Sequence, residues 1–155
     1  MADALHDTFT VERRYPQPRA RVFAAFAEPT KKRRWYAEGG GHELDVFEMD
    51  FRVGGTQRSV YRMGASTPFP GAPLASEGAF HDIVDGRRIV EAAHMSLDGA
   101  PMSVSLLTFE FHDDGDGTRL VCVHQGVFFE NADGPKMRRG GWEVLFERLA
   151  QALNG

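Results

Sequence analysis

Between residues 43 and 128 apolar and polar side chains alternate with a period of two, and beyond residue 135 the period lengthens to that of a helix. Alternation sends every second side chain to one face of a sheet. The middle of the chain therefore reads as successive antiparallel strands with one buried face. Phe47, Met49, Phe51 and Val53 alternate with Glu48, Asp50 and Arg52 as one strand. Gly54-Gly55 then turns or bulges the chain, and residues 56–63 return. Three prolines keep residues 64–73 as a loop. Further strands are predicted at 75–84, 88–95, 102–112 and 118–128, with Asp85-Gly86 and residues 113–117 as turns.

The flanks differ. Residues 8–13 alternate as a first strand, which Pro16 and Pro18 end, and residues 1–7 are expected to be a disordered tail. Pro18 suits a first helical turn, and Val22, Phe23 and Phe26 fall at helical spacing, so 18–27 reads as a short helix. Pro29 interrupts it. Thr30 is expected to cap a second short helix that runs through Arg34 and ends at Trp35-Tyr36, before Gly39-Gly40-Gly41 breaks regular structure. At the other end Trp142, Leu145, Phe146, Leu149 and Leu153 form one face of a long amphipathic helix, with Pro135 near its first turn and Gly155 beyond it. This order predicts a two-layer α+β fold, a curved antiparallel sheet of six to seven strands with the long C-terminal helix packed beside it. At 155 residues the chain is short for two domains, so residues 8–154 are expected to form one.

Composition narrows the function. Twenty-two acidic against eighteen basic residues give a net charge of −4, which argues against a nucleic-acid partner. Fifteen of the basic residues are Arg, as in a GC-rich bacterial genome. Cys122 is the one cysteine, which leaves neither an internal disulfide nor a cysteine metal site. No basic-flanked apolar leader opens the sequence, and no apolar run approaches the ~20 residues that span a bilayer. A cytoplasmic protein without membrane insertion is the expectation. Phe supplies twelve residues, bulk without a hydrogen-bonding handle, which favours a roomy apolar interior.

Three stretches carry a family resemblance. They are Tyr15-Pro16-Gln17-Pro18-Arg19-Ala20-Arg21-Val22-Phe23 with Trp35 closing the next helix, Met49-Asp50-Phe51-Arg52-Val53-Gly54-Gly55, and Gly140-Gly141-Trp142 followed by Leu145 and Leu149. In this order they resemble the START-like or SRPBCC superfamily with its helix-grip fold, and within it the homologues of the activator of heat-shock-protein-90 ATPase. The resemblance spans residues 8 to 153. It implies that the sheet is wrapped around the last helix and leaves a cavity between them. It also implies a possible co-chaperone role, although in the eukaryotic proteins it covers only the C-terminal domain and the chain shows no counterpart of their N-terminal one.

Strand parity then selects the residues that face such a cavity. Gln57, Ser59, Tyr61 and Met63 share one face, as do Leu107, Phe109 and Phe111, and as do Leu120, Cys122 and His124; Trp35, Met137 and Trp142 approach from helices. Polar Gln57, Ser59 and His124 are wasteful in a filled core and useful in a ligand pocket. Gly140-Gly141 inside a helix costs about 1 kcal/mol per glycine, offset either by close packing on a strand, the reading preferred, or by space left for a ligand. His81, His94 and His124 lie on different strands without metal-ligand spacing, so neither metal nor cofactor is expected. Residues 113–117 fail as a calcium loop because Gln125 stands where a bidentate Glu is required. Lys31-Lys32-Arg33-Arg34 reads as a solvated helix face, and Cys122 as a buried, inert thiol.

The leading expectation is a non-enzymatic domain that binds a small hydrophobic molecule. The alternative is an enzyme acting on an aromatic or polyketide-like substrate, with His124 and Glu91 or Tyr61 as acid and base. Finally, Val104, Leu106, Val121 and Val123 face away from the helix as an apolar patch, which points to a homodimer.

Overall fold

Alternation becomes a single seven-stranded sheet in the computed structural model, which describes residues 3–130 and 132–155. The strands are β1 (Leu5–Tyr15), β2 (Glu43–Met49), β3 (Thr56–Arg62), β4 (Pro73–Val84), β5 (Arg88–Leu97), β6 (Ala100–Asp114) and β7 (Gly117–Phe128). Their order is β1-β7-β6-β5-β4-β3-β2, antiparallel throughout. Five consecutive hairpins thus run from β2 to β7, and β1 returns to close beside β7, where Val11 stands opposite Cys122. Two short helices, α1 (Arg19–Ala27) and α2 (Pro29–Lys32), follow β1, and α2 widens into a π-helical turn at Arg33–Ala37. The long helix α3 (Pro135–Asn154) lies against the concave face and buries Arg138, Trp142, Phe146, Leu149 and Leu153. None of the described helices is long and apolar enough to cross a membrane.

Aromatic side chains fill one end of the concave face. Phe26 packs at 4.8 Å from Trp35 and 5.1 Å from both Phe109 and Phe111, and Phe23 stacks edge-on against Phe111. Two buried donors find backbone partners there: Trp35 Nε1 donates to the Ala25 carbonyl at 2.9 Å, and the Tyr15 hydroxyl donates to the Phe146 carbonyl at 2.9 Å. Those bonds tie the π turn to α1 and β1 to α3.

Several local expectations are corrected. Pairing of β1 begins at Leu5 opposite Phe128, so residues 5–7 are strand and not tail; residues 1 and 2 lie outside those described. β2 ends at Met49, because a tight turn over residues 50–55 follows in which a Cβ on Gly55 would collide with the Asp50 carbonyl. That turn leaves Val53 57% exposed. Glu28, not Thr30, stands at the N-cap of α2, with Pro29 as its first residue and no side-chain cap.

Candidate functional site

Register alone opens a trough in the sheet. Gln57, Gly78, Ala93, Ser105 and Gly126 form one row across β3, β4, β5, β6 and β7, and four of the five have almost no side chain. The neighbouring row, Phe80, Glu91, Leu107, His124 and Phe9, walls one side. Ser59, Ser76, Met95, Ser103 and Phe128 wall the other. Arg138 and Trp142 from α3 and Tyr36 from the π turn cover the trough, leaving an inner chamber of about 40 Å³ with Gln57, Glu91, Ser105, Leu107 and His124 among its lining. An outer chamber of about 510 Å³ adjoins it, bounded by Gly39, Gly40, Ser59, Tyr61, Leu74, Gly140, Gly141, Leu145 and Arg148. Both chambers share Tyr36, Ser76, Met95, Arg138 and Trp142, which form the waist between them.

The inner chamber is polar and incompletely satisfied. Among the described residues Gln57 Oε1, Ser105 Oγ and His124 Nδ1 find no hydrogen-bond partner, although each residue is more than nine-tenths buried. Each such atom costs roughly 1–3 kcal/mol unless something pairs with it. His124 is stacked between Phe9, at 4.5 Å and 8°, and Phe128, at 5.9 Å and 22°. Burial first, and the nearby Arg138 charge second, push its pKa down to about 4, so the imidazole is neutral at pH 7. Arg138 is itself committed: Nε and Nη2 donate to the two Asp133 carboxylate oxygens at 2.8 Å, and Nη2 donates to Ser103 Oγ at 2.9 Å.

A second buried cation lies behind the chamber. Lys32 is 2% exposed, with Nζ 4.9 Å from the Tyr36 ring centre and 5.8 and 6.0 Å from those of Phe26 and Phe80. Burial pushes its pKa down, and the negative charge of Glu91 works against that shift. The reading of residues 31–34 as a solvated face is therefore corrected at Lys32. Its neighbours turn it inward into an aromatic cage, where cation–π attraction and Glu91 compensate for lost water. The Tyr36 phenol and the Cys122 thiol are both pushed up, by burial and then by Glu91. Cys122 is buried and protonated.

Of the cavity candidates, Gln57, Leu107, His124 and Trp142 line the inner chamber, and Ser59, Tyr61 and Trp142 the outer one. Trp35, Phe109, Phe111 and Cys122 face the right way but line neither chamber, because α1 and the π turn plug that end with rings. Met63 lies past the end of β3 and outside both. Met137 is 70% exposed; the helical phase sends Arg138 inward in its place. Close packing at Gly140-Gly141 is corrected too: an added Cβ at either meets nothing within 4 Å, and both border the outer chamber. His81 is exposed beside the irregularity between Phe80 and Asp82, and His94 points outward with Nε2 3.4 Å from Glu77, so neither approaches His124. Tyr36, Ser76, Met95, Ser105 and Arg138 were not anticipated. Ser105 was within reach, since it shares the parity of Leu107, and Arg138 sits one helical turn before Trp142.

The model of the family described as activator of Hsp90 ATPase homolog 1-like protein matches residues 16–154. No curated protein sequence matches the chain. A solved structure of an uncharacterised protein from Rhizobium leguminosarum is similar, with 32% identity, a TM-score of 0.91, and coverage of 99% of this chain and 98% of that one. A protein of Rhizobium loti shows 42% identity and a TM-score of 0.87 over 97% and 99% of the two chains. One from Chromobacterium violaceum shows 26% identity and a TM-score of 0.77 over 96% and 97%.

Proposed function

We infer from two facts, that the chain belongs to the activator of Hsp90 ATPase homolog 1-like family and that its sheet and last helix enclose a polar-ended cavity, a function in binding a small hydrophobic molecule. The domain acts in the cytoplasm as a binding module, without catalysis. One observation carries this reading: an outer chamber of about 510 Å³ narrows through Tyr36 and Trp142 onto buried polar atoms that have no partner among the described residues. Pockets for small ligands have this character, with apolar walls for affinity and a few polar groups for orientation. The experiment is titration with N-phenyl-1-naphthylamine, whose fluorescence rises in apolar surroundings. Wild type should bind saturably, and Gly140→Leu, whose Cβ meets nothing within 4 Å and whose side chain would extend into the outer chamber, should abolish the signal while the fold persists. A flat titration of the wild type refutes the reading.

A second reading has its own support, since Glu91 and His124 line the same inner chamber. General acid–base chemistry requires two titratable groups around one substrate. Turnover of an aromatic or polyketide-like substrate that disappears in His124→Ala while binding survives would establish an enzyme. Stimulation of a chaperone ATPase is supported by the family description alone. We further propose that Val104, Leu106, Val121 and Val123, on the outer face of β6 and β7, join two copies of the chain. Val104 is 50% and Leu106 39% exposed.

A further inference from the structure

We propose that the molecule bound here carries a neutral head group that both donates and accepts hydrogen bonds (an alcohol, a phenol or a primary amide), held in the inner chamber while its apolar body fills the outer one. This rests on the ligand-binding reading above and adds the chemistry of the ligand to it.

Size makes the first argument. The inner chamber, about 40 Å³ against roughly 10–15 Å³ for a single water measured the same way, has room for a small head group and leaves the larger body to the outer one. The outer chamber is more than ten times larger and joins it through shared walls, so one molecule can occupy both.

Hydrogen bonding makes the second. Gln57 Oε1 accepts only and therefore requires a proton from its partner, which an ionised carboxylate or sulfonate does not possess. Ser105 Oγ donates or accepts, and His124 Nδ1 belongs to a neutral ring. A hydroxyl or amide can give a proton to Gln57 and accept one from Ser105; a purely apolar molecule leaves all three atoms orphaned.

Charge makes the third. Arg138 already has both Asp133 carboxylate oxygens and Ser103 as partners. Lys32 lines neither chamber, and its charge is set against that of Glu91. Positive and negative groups therefore offset each other in pairs. With the opposite charges already offset, an entering anion or cation would be buried as an unpaired charge.

The test is displacement of N-phenyl-1-naphthylamine at pH 7 by four compounds that share one ring system: naphthalene, 2-naphthol, 2-naphthoate and 2-naphthylmethylammonium. 2-Naphthol should displace the probe best, by about tenfold over naphthalene, the scale of one net hydrogen bond. Both charged compounds should fall below naphthalene. Gln57→Leu and, separately, Ser105→Ala should each remove most of the naphthol advantage and leave naphthalene within about twofold of its wild-type affinity. The inference is overturned if either charged compound equals 2-naphthol in the wild type, or if the naphthol advantage survives in both variants. If none of the four displaces a probe that does bind, the head-group inference fails while the binding reading stands. If the probe does not bind at all, both fail.

Discussion

Stacked between Phe9 and Phe128, the His124 imidazole carries a stability consequence that depends on pH. Its pKa in the fold is pushed down to about 4, against an ordinary value of 6.5. Unfolding therefore takes up a proton between those two values, and the unfolded chain binds more protons there than the folded one. The contribution is fully present above pH 6.5 and is lost as pH falls towards 4. Urea denaturation of wild type and His124→Phe should show a gap that changes by on the order of 2 kcal/mol between pH 7 and pH 4 in favour of the variant. A constant gap across that range would contradict a buried neutral imidazole. Lys32 shows where reading residues in isolation stops. Four consecutive cations carry no local sign that one is caged, because the cage comes from Phe26, Tyr36 and the far-off Phe80 and Glu91. By contrast, the burial of Gln57, Ser59 and His124 was legible from parity, since each sits between outward-facing neighbours on a strand.

Helix α3 holds two glycines in its second turn that face open space. Neither has a positive φ, so alanine meets no backbone strain there. Gly141→Ala should stabilise the protein by about 1 kcal/mol through helix propensity alone, and Gly140→Ala by a similar amount. Thermal melting measures this; a fall in melting temperature for both would mean that the helix requires these positions bare for packing. The glycines thus lower helix stability where the cavity wall is formed, consistent with space kept for a ligand. Elements with a clean period were legible: all seven strands and the long helix follow from alternation and from the Trp142–Leu153 stripe. The ends were not. β2 stops short of Phe51 because the Gly55 turn, and not the apolar pattern, sets its limit. Met137 and Arg138 differ by one position in helical phase, and hydropathy alone chose the wrong one.

Across the whole molecule the two sheet faces divide the work. The concave face is closed by rings at the α1 end and left open at the α3 N-terminal end, a division that depends on how α1 and the π turn dock and is invisible to strand parity. On the convex face Ala92 stands opposite Leu106 and carries apolar surface from β6 into β5, while His94, beside Glu77, borders Val104. If that patch joins two copies, light scattering should give twice the 17.2 kDa chain mass, and Val121→Lys with Val123→Glu should halve it. A wild-type monomer at ~0.1 mM would remove the dimer, since even a weak interface associates at that concentration. The central claim, that the cavity under α3 takes a small hydrophobic molecule, is tested most directly by amide NMR during titration with 2-naphthol. The account predicts saturable shifts at Tyr36, Ser76, Met95, Ser105 and Trp142, with Gly115 and Asp116 in the distant β6–β7 turn unmoved. Shifts confined to the β6–β7 turn, or to the Val104–Val123 face, or absent throughout, would contradict it.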